Sequence, residues 1–489
     1  MRSDRYEARE NRFKKFTKVW AAIYFLVTAA FLGVLAYANL LPFDILWKVA
    51  AGVGVLFLLT FPALSIKAFR VSRKKIALFF SIIFMLCYGV GIVYLTGTMS
   101  FFSNITNIGG STETYYVIVN SDSSYEDIGD IEGLTVDTLA TEEIEYESAR
   151  EKLVKKAKVE FNKMEKLSEL GNNLLYDSDR IALLSEGHYT VVCEGLDGFQ
   201  DETRILYEIK VRTESVSNSK SVNVTKEPFN VFISGLDTSG SIDEVSRSDV
   251  NMIVTVNPQT HKVLLTSVPR DTLISLRGKD GAQDKLTHAG LYGVGESIGS
   301  VEDLLGININ YYVKVNYSTV MKLVDAIDGI DVESEYTFTT SGMHMAGLDG
   351  LTFYEGTNHL DGAGALAFAR ERHSFTDGDM QRNRNQQQVM TAILKKMLSS
   401  KTLLTKYTGI LNSIEDNVET NFSSKEIRKL IKMQLDGMPS WDIEKKNVTG
   451  IPDSAICYST GDYYVSIVVA DMDSMTNAVS AINEVFDGK

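Results

Sequence analysis

Three apolar runs stand out in the first hundred residues: Val19 to Leu41, Ile45 to Ile66 and Ile76 to Leu95. Each is close to the roughly 20 residues that a helix needs to cross a bilayer, so three spans are predicted. Beyond them the pattern shortens. Ser100 to Ser111 is polar and reads as a linker, Tyr115 to Asn120 as a β-prone run, and the stretch to Gly133 as turns. Ile144, Ala149, Leu153, Ala157 and Phe161 fall near helical spacing and predict one long helix from Glu142 to Leu167, with Gly171 as its stop. Arg180 to Leu184, Tyr189 to Cys193 and Arg204 to Val211 read as strands.

A polar stretch ending in proline, Ser215 to Pro228, marks a boundary. After it come continuous apolar strands, Phe229 to Leu236, Asn251 to Asn257 and Lys262 to Val268, with Pro258 to His261 as the turn between the last two. Helical patterns at Gly293 to Leu305 and Ser318 to Ile327 alternate with a strand at Tyr311 to Asn316. The expected fold is α/β. Residues 1–98 form a tail and three transmembrane helices, 99–222 a small α/β accessory domain, and 223–489 a layered α/β/α domain around a central mixed sheet. In such sheets ligands sit beyond the strand ends.

Charge changes the picture in two ways. Residues 1–98 hold 13 basic and 4 acidic side chains, which leaves 36 basic and 59 acidic for the rest. Arg2, Arg5, Arg9, Arg12, Lys14, Lys15 and Lys18 precede the first span, and Lys67, Arg70, Arg73, Lys74 and Lys75 lie between the second and third. The positive-inside rule makes both segments cytoplasmic and places everything after the third span outside the cell membrane. A net −23 on that outer part argues against a nucleic-acid partner. Of the three cysteines, Cys193 and Cys457 are the pair outside the spans; their spacing indicates neither a disulfide framework nor a thiolate zinc site, and free, partly buried thiols are expected.

Candidate chemistry gathers at the predicted strand ends. Asp237 follows the first strand, Arg247 and Asp249 (SRSDV) precede the second, and Arg270 and Asp271 (VPRDT) follow the third. Lys285 and His288 lie in DKLTHAG, where the histidine reads as a loop residue rather than a general base. Further on, Asp379, Arg382 and Gln386 open a helical stripe continued by Met390, Ile393 and Met397, so charged groups start an inward face. Arg370 and Arg372 share a side only if the chain leaves its helix near Ala369. Several arginines suit phosphate oxygens, and two carboxylates suit a hard divalent cation such as Mg²⁺ held partly by ligand phosphates. No glycine loop of the Walker type is present, which excludes a nucleotide triphosphatase of that class.

Together NVFISGLD, SRSDV, VPRDT, KLTHAGLYG, YYVKVNYSTVMKLVDAIDGIDVE, LDGAGALAFARERH and DMQRNRNQQQ resemble the LytR-CpsA-Psr family, and within it the CpsA-like capsule branch. The resemblance covers about residues 228–400. It implies a phosphotransferase that moves a glycopolymer, capsular or teichoic-acid-like, from an undecaprenyl-pyrophosphate carrier to peptidoglycan. Its implied partners also include membrane lipid and capsule-assembly membrane proteins. Asp237 and Asp249 would hold Mg²⁺ or Mn²⁺; Arg247, Arg270, Arg370, Arg372 and Arg382 would bind the phosphates; Gln386 would close the head-group site. Asn385 stands where the family often has a further arginine. Two other readings use the same residues: a pyrophosphatase, with water in place of the sugar hydroxyl, and a non-catalytic lipid-phosphate sensor or regulator acting through the basic tail.

Overall fold

A computed structural model describes residues 2–489 apart from 107–110, 142, 213–219, 239, 344, 346, 400–409 and 411–412. The chain divides into two compact units, residues 1–104 with 423–439, and residues 105–422 with 440–489.

The first unit holds helices α1 (Arg2–Ala38), α2 (Phe43–Ser65) and α3 (Val71–Ile105), each long and apolar enough to cross a membrane. Their outward residues are apolar, as lipid-facing positions must be, while polar groups turn inward: Trp20 Nε1 donates to Ser81 Oγ (2.9 Å), and Lys74 Nζ to the carbonyls of Ala63 and Leu64. Helix α3 runs on to Ile105, so the expected linker starts later than Ser100, and residues 107–110 of it lie outside the described residues.

Among the described residues, the second unit contains two larger sheets and four two-stranded ones. The accessory sheet has β1 (Thr112–Asn120), β2 (Thr135–Leu139), β3 (Glu160–Met164), β4 (Ile181–Ser185) and β5 (Thr203–Arg212) in the order β3-β2-β4-β1-β5. Helix α4 (Ile144–Ala157) covers one face through Ala149 and Leu153, while α5 (Leu167–Tyr176) and α6 (Glu186–Gly195) cover the other through Leu170 and Val192. Here the sequence reading needs three corrections. The long helix stops at Ala157, where Lys158 takes a left-handed conformation (φ 48°), because the next residues pair with β2, Phe161 opposite Val136. Gly171 lies inside α5 rather than ending a helix. Tyr189 to Cys193 is helical: Ser185 caps α6 by accepting from His188 N, and a four-residue apolar run does not distinguish helix from strand.

The larger sheet runs β10-β9-β6-β7-β8-β11, where β6 is Phe229–Leu236, β7 Ser248–Asn257, β8 Lys262–Ser267, β9 Tyr311–Val315, β10 Val418–Thr420 and β11 Asp442–Asn447. It is mixed: β6 pairs parallel with β9 and antiparallel with β7. Alternation sorts its side chains. Phe232 and Ile253 face the core under α7 (Val294–Leu305) and a final helix (Met472–Phe486), while Ile233 and Met252 face the other side. On that side lie α8 (Tyr317–Ala326), α9 (Gly362–Arg370) and α10 (Gly378–Met397), and α10 is tied to the sheet by Gln387 Nε2, which donates to the carbonyls of Leu265 (3.3 Å) and Lys446 (2.6 Å). Helices thus cover both faces. Helix α8 crosses α9 so closely that a Cβ on Gly362 would overlap the Met321 carbonyl.

Candidate active site

Strands β6, β7 and β8 finish together, and their register decides which side chains meet. The β6–β7 ladder ends at Leu236 opposite Ser248. One step on, Asp237 faces Arg247: Asp237 N donates to the Arg247 carbonyl (3.0 Å), and Arg247 Nη2 donates to Asp237 Oδ2 (2.9 Å). The β7–β8 ladder pairs Met252 with Ser267, and three steps further Asp249 is level with Arg270, whose Nη1 donates to Asp249 Oδ1 (2.6 Å). Two neighbouring cross-strand ion pairs therefore line the sheet end.

Helices α9 and α10 bring the remaining groups. Asp361 caps α9 by accepting from Gly364 N, and the helix runs to Arg370 before Glu371 turns extended, so the expected exit near Ala369 comes one residue later. Glu371 is fully buried and accepts from Ser341 N and Ser374 N (both 2.8 Å), which pins the turn. Arg370 and Arg372 consequently reach the same space. The Arg370 guanidinium lies 4.3 Å from the Tyr317 ring centroid, and its Nη2 is 3.9 Å from Asp237 Oδ1. Along α10, Arg382, Gln386, Met390 and Ile393 face inward as expected, but Asp379 opens the stripe at the surface, with its side chain 42 % exposed.

All eight residues singled out, Asp237, Arg247, Asp249, Arg270, Arg370, Arg372, Arg382 and Gln386, line one cavity of about 300 Å³. Its deeper wall is apolar, with Ile233, Met252, Val320, Val389, Met390 and Ile393. Burial alone would raise the Asp249 carboxyl, but Arg270, Arg382, Arg247 and Arg370 outweigh it and hold it below the usual carboxylate range. Burial and the charges of Asp237 and Asp249 push the Tyr317 hydroxyl up, so it stays a donor, and it donates to Asp237. Among the described residues, Arg270 Nε and Arg382 Nε and Nη2 are buried and make no hydrogen bond, although Arg382 Nη2 lies 3.0 Å from Asp379 Oδ1. A buried guanidinium N–H without an acceptor is costly, and an anion in the cavity would supply one.

The donor set also suits Mg²⁺. No group of three ligating side chains occurs among the described residues, but Mg²⁺ typically takes one or two carboxylates and completes its shell with water and substrate phosphates. Asp237 and Asp249 in a cavity of guanidinium groups fit that pattern.

Gly378 starts α10 against the turn, and a Cβ there would meet the Arg372 carbonyl at 2.6 Å. Gly378→Ala is therefore expected to shift the turn that carries Arg372, costing about 1–3 kcal/mol of stability and weakening anion binding in the cavity; a melting curve and a phosphate titration check this.

Residues 198–481, more than half of the chain, match the model of the LytR_cpsA_psr family. The chain belongs to the LytR-CpsA-Psr family. Among its relatives, this LytR-CpsA-Psr protein is 34 % identical over 276 residues to the polyisoprenyl-teichoic acid–peptidoglycan teichoic acid transferase TagU of Bacillus anthracis, covering 56 % of this chain and 85 % of the relative. It is 37 % identical over 224 residues to the TagU of Enterococcus faecalis, covering 44 % of this chain and 70 % of the relative. The crystal structure of B. subtilis TagV is 28 % identical, with a TM-score of 0.44 over 54 % of this chain and 98 % of TagV.

The sequence reading missed three residues of the site. Tyr317, the first residue of α8, was legible in principle as a tyrosine directly after a strand end. Glu371 sits between the two arginines it positions. Glu194, from α6 of the accessory sheet, reaches the cavity and accepts from Arg247 Nη1; no spacing in the sequence points to it. Asn385, the departure from the family pattern, is buried and donates to the Phe368 carbonyl (3.1 Å), fastening α10 to α9. His288 is a buried structural residue whose Nδ1 lies 2.9 Å from Asp284 Oδ1 and 2.7 Å from Ser459 Oγ. Lys285 Nζ pairs with Asp271 (2.6 Å) beside the cavity rather than within its lining. Cys193 and Cys457 are free thiols, as expected.

Proposed function

We propose that this protein is a phosphotransferase that moves a glycopolymer from a polyprenyl-pyrophosphate carrier to peptidoglycan. One observation carries the reading: five guanidinium groups and three carboxylates converge on a cavity whose deeper wall is apolar. A pyrophosphate with a long lipid needs both kinds of surface. The naming of the TagU relatives as teichoic acid–peptidoglycan transferases supports the reaction class.

In this reaction a sugar hydroxyl of the acceptor attacks the phosphorus that carries the polymer. A new P–O bond forms, the bond from that phosphorus to the bridging oxygen breaks, and polyprenyl phosphate leaves with that oxygen and takes up the hydroxyl proton. Such transfer depends mainly on positioning and charge neutralisation. Arg247, Arg270, Arg370, Arg372 and Arg382 would hold the phosphate oxygens, and Gln386 would close over them. Mg²⁺ held by Asp237 and Asp249 would neutralise further pyrophosphate charge. Asp249, kept ionised by its arginines, is better suited to that electrostatic role than to taking the hydroxyl proton. The basic tail and basic second loop support a topology with the catalytic region outside the cell membrane, the side on which this reaction needs its acceptor.

The full-length protein in detergent, given a polyprenyl-pyrophosphate-linked glycan and Mg²⁺, tests this by mass spectrometry of released polyprenyl phosphate. Release that requires a peptidoglycan acceptor is expected. Release without acceptor would replace transfer by pyrophosphate hydrolysis, and bound lipid with no turnover would make the protein a sensor.

A pH effect follows from the same electrostatics. Asp249 and Asp271 both lie below the usual carboxylate range, despite burial that would raise them, because arginine and lysine partners outweigh it. Their contribution to stability is complete above the unfolded value, about 3.9, and is lost as pH falls through the lower folded values. Denaturant midpoints should therefore hold steady down to about pH 4 and drop below it; in Arg270→Gln the drop should be shallower, because the folded Asp249 value then lies closer to the unfolded one.

A further inference from the structure

The mouth of the cavity carries a carboxylate where a site for a polyanion would not be expected to have one. Glu194, near the end of α6, accepts from Arg247 Nη1, while Nη2 of the same guanidinium donates to Asp237. The two ends of this bridge differ. Asp237 is a 19 % exposed side chain of the sheet end, whereas Glu194 is 44 % exposed and comes from the accessory sheet. Burial would raise the Glu194 carboxyl, but Arg247 outweighs it and keeps the group ionised.

Side-chain contacts join the accessory sheet to the domain of the larger sheet: Ser168 N, in α5, donates to Asp462 Oδ1 (3.0 Å), Lys279 Nζ pairs with Glu143 (2.7 Å), and the Tyr463 ring packs where a Cβ on Gly195 would sit.

We propose that Glu194 is a placeholder for a ligand phosphate on Arg247, one that a diphosphate displaces and a monophosphate does not. This rests on the reading of the cavity as a pyrophosphate site. A diphosphate spans enough of the cavity for one phosphoryl group to engage Arg270 and Arg382 while the other takes the Arg247 nitrogen from Glu194. A monophosphate held by the deeper arginines leaves Arg247 with Glu194. The accessory sheet is thereby part of the active site, and the monophosphate product of transfer is held less firmly than the substrate. Glu194 acts through Arg247 and is a positioning residue.

Calorimetric titration of the full-length protein with inorganic phosphate and with inorganic pyrophosphate, both with Mg²⁺, tests this on wild type, Glu194→Gln, Arg247→Gln and the double variant. Glu194→Gln should tighten pyrophosphate binding about tenfold and phosphate binding by less, so that the ratio of the two affinities widens. In the Arg247→Gln background the same substitution should change neither. An unchanged ratio, weaker binding of both anions, or an equal effect with and without Arg247 overturns the proposal. A merely structural role for Glu194 would alter the melting temperature and leave the ratio where it was. If wild type binds neither anion, the pyrophosphate-site reading fails and the placeholder role falls with it, an outcome distinct from binding without discrimination.

Discussion

Arg370→Ala and Arg372→Ala should each cut transfer by about 10²- to 10³-fold, the range seen when one preorganised electrostatic contact to a reacting group is removed. Neither change should unfold the protein. Arg372 is 43 % exposed, with its nearest carboxylate, Asp379, 4.0 Å away, so its removal takes little from the folded state. Arg370 loses its contact with the Tyr317 ring, about 1 kcal/mol. The two substitutions can be separated by binding: Arg370 lies beside Asp237 and should matter more for holding pyrophosphate than Arg372, which is the more exposed of the two. Release of polyprenyl phosphate and a melting curve on each variant check both points, and full activity in both would remove the arginine clamp from the mechanism.

Asp249→Ala should damage stability and activity together. It leaves Arg270 buried beside a missing counterion, which for a broken buried pair costs about 3–5 kcal/mol. Asp271, with an oxygen 3.6 Å from Arg270 Nε, offsets part of this, so the low end of that range is expected. Asp249→Asn keeps the shape and an acceptor and should lose less stability while still losing transfer, since the charge is gone. Urea midpoints for the two variants, set against their turnover, distinguish a carboxylate needed for folding from one needed for chemistry. Equal midpoints in both, matching wild type, would show that the Asp249–Arg270 pair carries no stability.

Much of the site could be read from the chain because it is built on short-range register. Once Pro258 to His261 is taken as a hairpin turn, pairing along β7 and β8 brings Asp249 towards Arg270, and the adjoining strand pair does the same for Asp237 and Arg247. The three spans were equally legible, since hydropathy over some 20 residues has few competing explanations. The accessory sheet was less so. Its edge strand β3 carries a helix-like spacing that pairing with β2 overrides, and the TVVC run in α6 is too short to show a period. Glu194 was illegible for a different reason: its role depends on how one sheet packs against another, which leaves no trace in local spacing. Asn385, where the family often has a further arginine, bonds a neighbouring helix, a role that its place in the sequence does not disclose.

The helix at Met472–Phe486 sets the order of assembly. Its Ile482 and Val485 cover Leu264 of β8, and the Val485 carbonyl accepts from Asn257 Nδ2 (2.7 Å) at the far end of the strand hairpin. All the charged site residues precede it by more than eighty positions. During synthesis the arginines and carboxylates can thus be in place while the apolar surface around Leu264, on the face that α7 only partly covers, is still bare. The nascent domain must be kept from self-association until this last helix emerges, and a chain stopped short of it would carry an intact set of catalytic side chains on a sheet prone to aggregate.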